Sequence, residues 1–475
     1  MSEQRDLLTR TAALAADFLD RLPDRPVWPP VDLAALRDAL GGPIPERGED
    51  AEAVIETLAE SSEPGIVGSA GPRYFGFVVG GGVPAALAAD WLTSSWDQNA
   101  GLYALSPAGS VVEEVAAGWL IELFGLPAGS SVGFVTGATM ANFTAIAAAR
   151  HRVLDSAGWN VEEEGLTGAP PISIVTGDEA HVTIFVSLQM LGLGRGRVHR
   201  VAADGQGRMR PDALRETLAQ LDGPTIVCAQ AGNVNTGAFD PLPEIAAAVR
   251  ERENAWLHVD GAFGLWAAAA PGLRDRIEGL GLADSWTTDA HKWLNVPYDS
   301  GIVVVRDAAA HHASMTLGAA YYVETAGGER DPYNWVPESS RRARGFAVYA
   351  ALRSLGRAGL ADLLERSCAL ARRMADGLRG AEGVAILNDV VLNQVLVRFE
   401  PPGGGDADAF TRAVIAAVQA DGTCWLGGTT WHGMAAMRIS VSNWRTTEGD
   451  ADLSVEAILR CARVTAESLG AAAAG

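Results

Sequence analysis

Apolar positions at helical spacing mark residues 5–21, RDLLTRTAALAADFLDR, as an amphipathic helix, and the Pro-rich stretch VWPPVDLAALRDALGGPIPE follows it. So short a helix cannot bury its apolar face alone. Residues 1–65 therefore read as an N-terminal helical arm, with a ragged terminus as the alternative. From about residue 66 to 310 the pattern changes. Apolar, β-branched runs (ISIVTGDEAH, TIVCAQAG, AWLHVDGAFG, SGIVVVRD) alternate with Ala-rich helical segments. Such alternation predicts an α/β architecture, a mostly parallel sheet with helices on both faces. Ligands of such sheets sit outside the carboxyl ends of the strands, so chemistry is expected just after these runs.

Residues 311–340, HHASMTLGAAYYVETAGGERDPYNWVPESS, break the rhythm with paired tyrosines, glycines and few aliphatic anchors, and are expected to form an irregular lid loop. Beyond them RRARGFAVYAALRSLGRAGLADLLERSCALARRMADGLR returns to helical spacing, while NQVLVRFE and AMRISVSN predict strands. The expected organisation is an arm at 1–65, a large domain at 66–335 and a smaller α/β domain at 341–475.

A chain of 475 residues suffices for two cores and an appendage. Its 48% hydrophobic and 20% charged content is that of a folded soluble protein, which sets aside disorder and coiled coil. A formal charge of −21 argues against a broad surface for nucleic acid or anionic membrane, because phosphates need Lys and Arg to neutralise them. The opening MSEQRDLLTR lacks the basic and apolar regions of a secretion signal, and no later run is apolar over the ~20 residues of a membrane span. A cytoplasmic protein without nucleic-acid or membrane partners is expected. Cys228, Cys368, Cys424 and Cys461 show neither CxxC nor zinc spacing, so no disulfide framework or metal site is implied.

Four stretches carry candidate chemistry. In TTDAHKWLNVPYDSG, Lys292 follows a predicted strand and turn. A lysine among apolar neighbours sheds hydration, which frees its amine to attack an aldehyde. In AWLHVDGAFG, Asp260 closes an apolar strand at the ligand edge, where a carboxylate keeps a pyridine nitrogen protonated. GFVTGATMANFTAIAAAR runs from strand into a helix beginning near Thr139, whose free N–H groups and hydroxyl suit a phosphate. In GDEAHVTIF, His181 lies just past a strand, placed to stack on a flat ring and to move protons. Each has an ordinary structural explanation when taken alone: a surface lysine, an Asp cap, a small-residue turn, a core histidine. Their order along one α/β domain favours a pyridoxal 5′-phosphate (PLP) site.

Taken together, these motifs resemble the pyridoxal-dependent (group II) amino-acid decarboxylases, which include aromatic-L-amino-acid decarboxylase and glutamate decarboxylase, from GPRYFGFVVGG at Gly71 to AMRISVSNW at Trp444. The resemblance implies the aspartate-aminotransferase-like fold (fold type I) and PLP as cofactor. It implies that Lys292 holds the cofactor as a Schiff base, that Asp260 pairs with the ring nitrogen and that His181 stacks on the ring. Ala138 and Thr139 match the phosphate turn, and Ala262, His291, Asn235 and Asp289 match cofactor-lining positions, the last two with other residue types in some relatives. Arg438 matches the arginine that engages the substrate carboxylate. Tyr321 matches the loop tyrosine that protonates the substrate carbon, with Tyr322 as the alternative. Phe77, Asn99 and Tyr103, with Trp96, fall in segments that line the substrate site. The implied reaction converts an L-amino acid to its amine and CO₂ in a homodimer whose sites draw on both subunits. Phe77, Trp96 and Tyr103 favour an aromatic or bulky neutral substrate. Asn99 and Tyr103 look more like the glutamate enzymes, and aldehyde-forming oxidative deamination is a further alternative.

Overall fold

Short runs of β-branched and small residues with every side chain buried, such as Gly301–Val305 (GIVVV) and Ser131–Val135 (SVGFV), have no wet face and must be covered on both sides. They form two adjacent strands at one edge of a sheet in the computed structural model, which describes residues 3–316 and 329–474, with side chains to residue 468. By packing, the chain divides into two compact units. One comprises Gly80–Ala369 and Asn388–Gln394; the other comprises Met1–Val79, Leu370–Leu387 and Val395–Gly475.

The first unit holds a seven-stranded sheet of β1 (Ser131–Val135), β2 (Ser173–Gly177), β3 (His199–Val201), β4 (Thr225–Gln230), β5 (Ala255–Asp260), β6 (Ser285–Asp289) and β7 (Gly301–Val305), in the order β1-β7-β6-β5-β4-β2-β3. β7 is antiparallel to both neighbours and the remaining pairs are parallel. The sheet is therefore mostly parallel, as expected for fold type I. Register sets Asp260 between Gln230 and Thr287, so the ends of β4, β5 and β6 lie along one edge with Asp260 and Asp289 on it. The helix Ala138–Asp155 packs on the sheet through Ala141, Ala145, Ile146, Ala148 and Ala149, all buried against Ile174, Ile226 and Trp256. Alanines let it lie close to the strands while paying little helix propensity.

Among the described residues, part of the stretch expected to be irregular is regular. Ala308–Met315 is a helix whose start is capped by Asp307, which accepts from Ala310 N at 3.0 Å, and Pro332–Trp335 is a single 3₁₀ turn. The sequence AAAHHASM has no breaker, so a capping Asp is enough to let the helix begin. Tyr321 and Tyr322 lie outside the described residues. The long helix Gly345–Arg379 is interrupted at Gly356, whose φ of 60° ends one run and starts another.

The second unit holds a four-stranded sheet of β8 (Val384–Ile386), β9 (Gln394–Phe399), β10 (Gly427–Trp431) and β11 (Met434–Ser440), in the order β10-β11-β9-β8. Residues 1–65 belong to this unit: Val27 N donates to Gly422 O at 2.9 Å, and Trp28 stacks on Trp425 at 5.7 Å. No helix among the described residues is long and apolar enough to cross a membrane.

Candidate active site

Lys292 sits in the turn after β6, three residues past Asp289 at the strand's end. That spacing in a turn folds the two side chains together, with Nζ 2.9 Å from Asp289 Oδ2. The lysine thus has a carboxylate partner beside the apolar neighbours that the sequence shows, and the Asp289 carboxylate is itself buried. Asp289 Oδ1 accepts the Ala138 N–H at 2.6 Å and lies 3.5 Å from His291 Nε2. One side chain therefore ties the lysine turn to the start of the Ala138–Asp155 helix. His291 accepts from Ser300 N through Nδ1 at 3.1 Å and stacks on Tyr298 at 4.2 Å. Burial holds the pKa of His291 below the usual histidine range, with Asp289 pulling the other way.

Two glycines permit this closeness. A Cβ on Gly80 would lie 1.7 Å from the Lys292 carbonyl oxygen, and one on Gly301 would lie 2.4 Å from Gly137 Cα. The helix start at Gly137 carries no side-chain cap. Its first N–H, that of Ala138, is given to Asp289, and Thr139 follows, half-buried, in the same first turn.

Asp260 lies buried at the end of β5. Its Oδ1 accepts from Ala262 N at 3.1 Å and its Oδ2 from Asn142 Nδ2 at 3.2 Å. His258, two residues earlier and so on the same face of the strand, places Nε2 2.9 Å from Asn142 Oδ1 and Nδ1 2.9 Å from Ser285 Oγ. Burial pushes His258 down to about 4, against the pull of Asp260. His181 caps the helix Val182–Met190 by accepting from Thr183 N at 3.4 Å, and its Nδ1 lies 2.8 Å from Thr183 Oγ1. Thr183 Oγ1 in turn accepts from Asn142 at 3.3 Å.

Residues 34–400 match the model of the pyridoxal-dependent decarboxylase conserved domain. The chain belongs to the pyridoxal-dependent decarboxylases. It is similar to an aromatic-L-amino-acid decarboxylase of Bacillus atrophaeus, 26% identical over 455 residues that span 94% of this chain and 92% of that one. It is also similar to an L-2,4-diaminobutyrate decarboxylase of Rhizobium meliloti (strain 1021), 32% identical over 386 residues, 80% of this chain and 75% of the relative. In fold it matches the crystal structure of Oryza sativa TDC with PLP and tryptamine at a TM-score of 0.90 and 23% identity, covering 97% of this chain and 98% of that one.

As a member of this family the decarboxylase uses PLP, and its residues fit that group. Asp260 offers a buried carboxylate at the strand edge, the turn at Gly137–Thr139 offers a helix start to which Gly137 adds no side chain and whose Ala138 N–H Asp289 holds, and Lys292 offers a primary amine beside them. Direct hydrogen bonds or ion pairs join Lys292, Asp289, His291 and Ala138. Asn142 and Thr183 link Asp260 and Ala262 with His181. Asn235 lies in the loop after β4, buried, with its N–H donated to Asn233 Oδ1 at 2.8 Å.

The remaining sequence candidates are held differently. Asn99 Oδ1 accepts from Gly101 N and Arg341 N, both at 3.1 Å, and Tyr103 N donates to Asp331 Oδ1 at 2.8 Å. In the second unit Arg438, on β11, donates to Phe77 O at 3.3 Å and has no carboxylate partner among the described residues. Burial lowers its pKa from the ordinary arginine value. Phe77 is 63% exposed at a φ of 57° and stacks on Trp425, which also stacks on Tyr74. The sequence reading missed Asn142, His258, Ser285 and Thr183. A signal existed for two of them: Asn142 is one helical turn past Ala138, and His258 shares the strand face of Asp260.

Proposed function

We propose that this decarboxylase removes the α-carboxylate of an aromatic L-amino acid, releasing CO₂ and the amine. When bound, PLP supplies an aldehyde that condenses with amines and a protonated ring that accepts the electron pair left by departing CO₂. Lys292 provides the attachment amine, Asp260 holds the proton at the ring nitrogen, and His181 covers the ring face. Ala138 and Thr139 take the phosphate, while Ala262, Asn235, Asp289 and His291 line the cofactor. Arg438 engages the substrate carboxylate with its planar fork of donors. Phe77, Asn99 and Tyr103 line the substrate site, and Tyr321 returns a proton to the substrate carbon.

The observation that carries the aromatic reading is Arg438 beside Phe77: a half-buried guanidinium without a carboxylate partner among the described residues, bonded to the backbone of an exposed ring that stacks on Trp425. An aromatic side chain gains by stacking on such a ring. Asn99, which favours an acidic substrate by resemblance, has its carboxamide oxygen engaged by two backbone N–H groups. The test is CO₂ release from purified holoenzyme with tryptophan, tyrosine, phenylalanine, glutamate, aspartate and 2,4-diaminobutyrate. The expected outcome is a kcat/KM for an aromatic substrate at least ~10-fold above the others, the discrimination that about 1.4 kcal/mol provides. A preference for glutamate or diaminobutyrate overturns the substrate reading. Stoichiometric peroxide and aldehyde overturn simple decarboxylation.

The same proposal includes a homodimer with sites drawing on both subunits, supported by exposed Trp91, Leu92, Trp96 and Val111 on the helices Pro84–Trp96 and Pro107–Phe124. It also includes a cytoplasmic setting, supported by four buried cysteines, none of them in a disulfide. Secretion of the native protein from its host would overturn that setting.

A further inference from the structure

The hydrogen bonds around Asp260 form a chain whose donor directions are fixed from end to end. Trp256 Nε1 only donates, and it meets Ser285 Oγ at 2.8 Å. Ser285 Oγ also lies 2.9 Å from His258 Nδ1. Asn142 Oδ1 can only accept, so His258 donates to it from Nε2 at 2.9 Å, and Nδ1 of the neutral ring is left to accept from Ser285. A carboxylate only accepts, so the Asn142 nitrogen must face Asp260. Its two protons go to Asp260 Oδ2 at 3.2 Å and to Thr183 Oγ1 at 3.3 Å. The Thr183 N–H donates to His181 Nδ1 at 3.4 Å, so the Thr183 hydroxyl, 2.8 Å from the same nitrogen, donates to it as well. His181 Nδ1 is an acceptor, and its neutral ring carries the proton on Nε2.

Asn142, His258 and Ser285 are fully buried, so no water competes for these partners. We propose that Asn142, oriented by His258, is a positioning residue that fixes the Asp260 carboxylate and, through Thr183, the tautomer of His181. One side chain thereby sets both residues assigned to the cofactor ring. This inference rests on that assignment of Asp260 and His181.

The test reconstitutes apoprotein with PLP and reads two quantities: PLP affinity by absorbance titration, and the ¹⁵N signal of His181 Nδ1. Asn142→Asp is close to isosteric and, when ionised, has no amide donors. It is expected to weaken PLP binding about tenfold, the loss of a hydrogen bond to a charged group, and to move the His181 signal. Thr183→Val deletes the hydroxyl that links Asn142 to His181 and leaves the Asn142 bond to Asp260 in place. It is expected to move the Nδ1 signal downfield while PLP affinity stays within about threefold, well short of that loss. Circular dichroism and thermal melting check the fold, and where Asn142→Asp does not fold, Thr183→Val decides alone. Wild-type values in both readouts for the variants that fold, in a background where Asp260→Ala weakens PLP binding, overturn the inference. Wild-type PLP affinity and spectrum in Asp260→Ala would instead overturn the cofactor assignment beneath it.

Discussion

At the scale of single residues, the two buried histidines of the site differ from ordinary ones because burial penalises their charged form. His258 is pushed down to about 4 from 6.5, so between those values an unfolded chain takes up a proton that the folded chain refuses. Its contribution to stability is complete above about pH 6.5 and is lost as pH falls toward 4, at up to about 1.4 kcal/mol per pH unit. Asp240, pushed up to about 6 by burial, acts in the opposite direction over part of that range. It does so equally in a variant, so it cancels in a comparison. Urea denaturation of wild type and His258→Asn across pH 4–7 is expected to show the steeper acid-side loss in wild type. Equal slopes would mean that His258 carries its proton in the folded protein. At this scale much was legible. Asp260 ends an apolar run, and Lys292 sits three residues past Asp289, a spacing that any turn folds together. The partner of Lys292 was less legible, because a local reading weighs hydrophobic neighbours and does not reveal where a carboxylate points.

At the scale of elements, the start of the Ala138–Asp155 helix, the end of β5 and the turn after β6 converge because β1 and β7 extend the sheet beside β6. A second junction depends on one buried ion pair. Arg341 and Glu113 meet at 2.8 Å with side chains 0% and 4% exposed, and the guanidinium also donates to Ala100 O and Phe134 O. The Arg341 N–H holds Asn99 Oδ1, so this pair organises the segment that carries Asn99 and Tyr103. Glu113→Ala leaves the Arg341 charge buried and unpaired, and is expected to cost about 3–5 kcal/mol in urea denaturation. A loss below about 1 kcal/mol would show that the guanidinium relaxes to water. Helix and strand positions followed from periodicity, including the strands NQVLVRFE and AMRISVSN, now β9 and β11. The helix Ala308–Met315 did not, since the capping contact of Asp307 is invisible in a composition rich in alanine and histidine.

At the scale of the whole molecule, the −21 charge opposes association of copies, while the exposed tryptophans of Pro84–Trp96 offer an apolar surface. If the proposed homodimer forms, apolar burial outweighs that repulsion. Sedimentation equilibrium is then expected to give twice the chain mass of 49.6 kDa at low and at physiological salt, and Trp91→Glu with Trp96→Glu is expected to shift the equilibrium toward monomer. A monomer at both salts sinks the proposal. Sequence by itself determined the mostly parallel α/β layer and the PLP-type chemistry, because buried parallel strands are continuous apolar runs and strand ends mark a ligand edge. Tertiary structure alone decided how those residues are held. Asn142, Thr183, His258 and Ser285 come from four separate elements, and only the strand order β6-β5-β4-β2, with one helix laid across it, brings their polar atoms within hydrogen-bond distance. Hydrogen bonds are short-ranged and directional, so their partners are set by packing and not by spacing along the chain.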